Sequence, residues 1–83
     1  MNDTIPQIKL DVRGLAAPEP MVRILEATAT LEPGRVLTVT HNRVPTLLYP
    51  RLTERGLSVE TQEQDDGVVV LTIKRPIKPD NLP

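Results

Sequence analysis

Few side chains in this chain could do chemistry, and most of them fall in two short stretches. His41 is the only histidine among 83 residues. An imidazole titrates near neutral pH, so His41 is a candidate metal ligand or acid–base group. No second histidine and no cysteine can join it, and no spacing of Asp or Glu marks a metal site. His41 is also in phase with Leu37 and Val39, which fits the rim of a core equally well. Arg43 follows close behind. With Arg13, Arg51 and Arg55 it could gather near two helix starts and bind a phosphate or carboxylate. For Arg51 and Arg55, one helical turn apart, a solvated helix face is the plainer reading. The other stretch is Ala17-Pro18-Glu19-Pro20, which opens a helix. Unpaired N–H groups at a helix mouth stabilise an anion. Here two prolines remove donors and Glu19 competes for the positive end, so a plain helix start competes with an anion site. There is no Gly-rich phosphate loop, no Ser/His/Asp order and no telling pair of carboxylates.

Composition narrows the classes further. Ten basic and eleven acidic residues are well mixed, giving a net charge of −1. Nucleic-acid binders show a basic patch or stripe, which is missing here. Tyr49 is the only aromatic residue, so bases have almost nothing to stack on. No apolar run reaches the roughly 18 residues of a membrane span. Met1-Asn2-Asp3-Thr4-Ile5-Pro6 lacks the regions of a signal peptide. These features predict a soluble cytoplasmic protein with no resident cofactor. At this length the chain is one small domain, expected over 1–75, with a mobile proline-rich tail over 76–83.

The elements that must position these residues follow from periodicity. Ile8, Leu10 and Val12 alternate with polar residues, which predicts a strand that Gly14 ends. Pro18 and Pro20 suit a helix start. Met21, Ile24, Leu25 and Thr28 then recur at helical spacing, with Leu25 expected between helix and sheet. Arg23 lies four residues after Glu19 and can pair with it. Pro33-Gly34 stops the helix. Val36 to Thr40 reads as a second strand. Asn42 is a candidate cap for a second helix running to about Arg55, with Pro45 in its first turn and Leu48 and Leu52 facing the core. Pro50 inside that helix predicts a kink or an irregular first turn. Leu57 to Gln64 and Gly67 to Lys74 read as strands joined at Asp66-Gly67. The order βαβαββ in so short a chain predicts an α+β fold. It is a two-layer α/β sandwich with a four-stranded mixed sheet and both helices on one face. The other face would carry Thr38, Thr40 and Thr72, with Val68 and Val70.

Gly14-Leu15-Ala16-Ala17-Pro18-Glu19-Pro20 resembles the Gly-Leu-x-Cys-Pro-x-Pro signature of the TusA/SirA-like sulfur-carrier family. The resemblance extends from Leu10 to Arg75. It includes Pro33-Gly34, a proline within the second helix (Pro50) and the closing Ile73-Lys74-Arg75. It implies a fold like the C-terminal domain of translation initiation factor three. In that family a cysteine at the helix mouth carries sulfur as a persulfide. Ala17 stands in its place, so sulfur transfer is not expected. His41-Asn42-Arg43 occupies a turn that is usually acidic in the family. The sequence therefore suggests a non-catalytic interaction or regulatory module that docks a partner protein. Docking would use the Arg13 to Pro20 edge, with Ala17 and Glu19, and the His41 to Arg43 turn. The alternative is a small-molecule or metal-cofactor binding protein using His41 and nearby arginines.

Overall fold

The computed structural model describes residues 8–77. The elements are β1 (Ile8–Asp11), α1 (Glu19–Ala29), β2 (Val36–His41), α2 (Leu48–Glu54), β3 (Ser58–Glu63) and β4 (Val69–Lys74). The sheet order is β1-β2-β4-β3. β1 and β2 are parallel, and β4 runs antiparallel to both β2 and β3. This is the α+β, βαβαββ sandwich expected from the sequence.

Register explains why one sheet face is covered. Leu37 pairs with Ile73, Val39 with Leu71 and His41 with Val69. All six are buried, because alternate residues of neighbouring strands share a face. Ile24 of α1 and Leu48 and Leu52 of α2 belong to the same buried cluster and are fully buried. Both helices therefore close over this face. Each such side chain contributes about 1.5–3 kcal/mol by leaving water. On the opposite face Thr38 pairs with Thr72 and Thr40 with Val70, all partly exposed.

Two sequence expectations about α2 are corrected, and one about α1 is refined. α2 begins at Leu48, after a turn at Val44 to Leu47 in which the Leu48 N–H donates to the Pro45 carbonyl (2.9 Å). Asn42 is not its cap and Pro45 precedes it. Pro50 is consequently the third residue of α2. Its missing N–H is one of the four that have no partner within the helix, so of the two expected outcomes a kink has no cause, and the irregularity lies in the turn before Leu48. Leu25 packs against the core but is only partly buried, whereas Ile24 is fully buried, so the core-facing stripe of α1 is centred on Pro20, Ile24 and Thr28. The N-terminal hexapeptide and most of the expected tail (78–83) lie outside the described residues.

Arg75, just past β4, ties the two layers together. Its Nε donates to the Leu31 carbonyl (2.6 Å) and one terminal nitrogen to the Thr28 carbonyl (3.1 Å). The other terminal nitrogen reaches the Arg55 carbonyl (3.4 Å). α1 has no basic residue in its own last turn. Arg75 supplies the cation that the negative helix end favours.

Candidate functional site: a cleft at the carboxyl ends of β1 and β2

Parallel pairing brings the carboxyl ends of β1 and β2 side by side, with Asp11 opposite Thr40. The loop into α1 and the loop into α2 therefore leave the same end of the sheet. Crevices outside such strand ends are habitual ligand positions in α/β sheets. Here the two loops form the walls of a cleft of about 400 Å³. Leu15, Ala16, Ala17 and Pro18 line one side, and Arg43, Val44, Pro45, Thr46 and Leu47 the other. Met21, Ile24, Leu48 and His41 complete it. Gly14 makes the first wall possible: its φ of 83° turns the chain sharply out of β1, in a region that side-chain-bearing residues avoid.

His41 is the last residue of β2 and is only 4% exposed. Its Nδ1 accepts from the backbone N–H groups of Asn42 (2.9 Å) and Arg43 (3.3 Å). A nitrogen that accepts two N–H groups carries no proton, so the neutral ring holds its hydrogen on Nε2. Burial pushes the His41 pKa below its ordinary value. The Asn42 side-chain oxygen, 3.2 Å from Nδ1, opposes the shift because it would accept from a charged ring. The Arg43 charge lowers the pKa further. With Nδ1 turned to the chain, the Nε2–H edge is left for the cleft. Among the described residues it meets no acceptor.

The mouth of α1 offers less to an anion than its position suggests. Pro18 and Pro20 have no N–H. The Glu19 N–H donates to the Ala16 carbonyl (2.9 Å) and the Val22 N–H to the Pro18 carbonyl (3.1 Å). Glu19 itself pairs with Arg23 (3.3 Å), as expected from their spacing.

Of the five residues expected to form a site, Ala17, His41 and Arg43 line the cleft. Arg13 and Glu19 do not. Arg13 is clamped by Asp11, its Nε and a terminal nitrogen donating to the two carboxylate oxygens at 2.9 and 2.7 Å. Hydrogen bonds from Arg13 hold the Asp11 carboxyl down at about 2. Arg51 sits on α2 and Arg55 just past its end, where Arg55 donates to the Arg51 carbonyl (3.2 Å), and neither lines the cleft. The arginines do not gather at the cleft, and Arg51 and Arg55 are exposed, which fits the solvated helix face. Sequence reasoning did not single out the cleft leucines Leu15 and Leu47, 37% and 75% exposed. Leu47 carried a signal: it adjoins Leu48, and only one of two neighbouring leucines can face the core. Among the described residues, no group of three His, Cys, Asp or Glu could hold a metal. No helix among them is long and apolar enough to cross a membrane.

Comparison with known proteins agrees with the fold. A solved SirA-like protein from Desulfitobacterium hafniense is similar, with a TM-score of 0.75 and 31% sequence identity. The match covers 86% of this chain and all of the other. No curated protein matches the chain. Residues 9–75 match the model of a family described as uncharacterized conserved protein (DUF2249). The chain is a cysteine-less member of that family, built on the SirA-like fold.

Proposed function

We propose that this protein is a non-catalytic interaction or regulatory module of the cytoplasm, on a sulfur-carrier-like fold whose sulfur-carrying position is Ala17. One observation carries the reading. The two segments singled out in the sequence, the loop before α1 and the turn after β2, form facing walls of one cleft, with Leu15 and Leu47 exposed at it. Exposed aliphatic side chains beside an apolar cleft supply the burial that a protein contact needs. Affinity capture from the native host tests it. The wild-type chain should recover a defined partner, and Leu47→Glu should lose it. Glu60→Lys, on the open sheet face, should keep it. Equal recovery by the wild type and Leu47→Glu would overturn the cleft as the docking surface.

A second reading is favoured by the floor of the same cleft. A small molecule could occupy it, held by His41 and Arg43. Among the described residues, Arg43 is the only arginine lining the cleft.

A further inference from the structure

We propose that the cleft between the β1–α1 and β2–α2 loops binds a small apolar carboxylic acid, as its monoanion. The acid's carboxylate would accept from His41 Nε2–H and face Arg43. The proposal deepens the small-molecule reading of the cleft and does not depend on whether a protein docks at its lips.

The polar groups set the sign of the ligand. Among the described residues, three polar side chains line the cleft: His41, Arg43 and Thr46. His41 offers only a donor, because Nδ1 is occupied by two backbone N–H groups. Arg43 can only donate. Among the described residues no carboxylate lines the space, so an ammonium group would find no counter-charge there. A ligand that brings an acceptor engages the His41 Nε2–H, which has no acceptor among the described residues and is not sealed from the cleft. A charged acceptor makes the stronger hydrogen bond and also meets Arg43.

The same inventory limits the charge to one. A phosphate dianion needs several donors, and the mouth of α1 cannot supply them. Two of its first residues are prolines, and the Glu19 and Val22 N–H groups are already bonded within the chain. The rest of the lining is apolar, including Met21, Ile24, Val44 and Leu48. That surface suits an aliphatic or aromatic body and not a sugar. At about 400 Å³ the space lies at the small end of ligand pockets.

Titration of the full ¹⁵N-labelled chain with hexanoate, phenylacetate, hexan-1-ol and hexylamine, followed by NMR, tests the proposal. Hexanoate and phenylacetate should shift the amides of Ala16, Met21, Arg43 and Thr46 saturably. The His41 Nε2 resonance should move with the acids and stay still with hexan-1-ol. Hexan-1-ol, with the same tail, should bind about tenfold more weakly, the difference expected for a charge-assisted hydrogen bond. Hexylamine should not bind in the cleft. Arg43→Gln alters an exposed side chain, so the fold should survive it. It should weaken hexanoate several-fold and leave hexan-1-ol unchanged. The proposal is overturned if neither acid binds at millimolar concentration, or if the shifts map elsewhere. It is also overturned if the alcohol or amine binds as tightly as the acid. Acid binding lost while Leu47-dependent partner capture persists would remove the ligand and leave the docking reading standing.

Discussion

His41 is held by its own chain. Two backbone N–H groups donate to Nδ1, so the neutral tautomer is built into the turn after β2. The pH consequence follows from the direction of the shift. The folded-state pKa lies below the ordinary 6.5, which the unfolded chain keeps. Between the two values the unfolded state binds a proton that the folded state refuses. The His41 contribution to stability is therefore complete above about 6.5 and declines as pH falls towards the folded value. Chemical denaturation near pH 7.5 and near pH 5 should show the wild type losing stability on acidification. His41→Gln should lose less over the same interval. An equal loss in both would mean that the ring is not desolvated as described. The salt bridge between Asp11 and Arg13 adds little in this window: it is exposed, and its carboxyl titrates well below it. The burial of His41 was legible in the sequence from its phase with Leu37 and Val39. The loss of Arg13 to Asp11 was not, because it depends on how the chain turns after β1.

At the scale of elements, the existence and order of all six were legible, and the errors sit at helix boundaries and stripes. α1 shows why. Ile24 and Leu25 both fit a helical period, and only packing against the sheet decides which is sealed. Ile24→Ala should cost about 2–5 kcal/mol, the range for truncating a fully buried aliphatic residue. Leu25→Ala should cost clearly less. Equal losses in urea unfolding would mean that α1 is rotated from its described position. α2 shows a different limit. Asn42 and Pro45 are good helix-start residues, but Asn42 serves His41 and Pro45 closes a turn, so capping propensity was spent elsewhere. Arg75 illustrates what no local pattern reveals. Its guanidinium reaches carbonyls of Thr28 and Leu31, 47 and 44 residues away. Arg75→Met should cost about 1.5–3 kcal/mol, as expected for losing hydrogen bonds to a charged donor. Arg75→Lys should restore little, because a single ammonium cannot reproduce the planar fork. Full rescue by lysine would show that charge alone matters there.

The whole molecule has two unlike sides. One carries the helices and, at its end, the cleft. The other is a bare sheet face where Thr38 pairs with Thr72, Thr40 with Val70 and Val36 with Lys74. Glu60 lies beside Thr72, and Lys9 beside Thr38. Valines on this face are separated by hydroxyls and charges, so no continuous apolar patch forms. The period-two alternation of the strands made this face legible. What remained illegible was the cleft, because it exists only once parallel pairing sets two loops side by side. A threonine-rich face should stay solvated and leave the chain monomeric, since monomers rarely expose large contiguous apolar patches and dimers need them. Sedimentation equilibrium at micromolar concentration should return a single-chain mass. The double substitution Thr38→Val with Thr72→Val joins Val36 and Val70 into one apolar strip. It should keep or raise stability, because valine suits a pleated surface, and it should drive self-association. A wild-type dimer dissociated by Thr38→Lys would reverse the argument. The bare face would then be an interface, and the cleft would be presented in two copies per assembly.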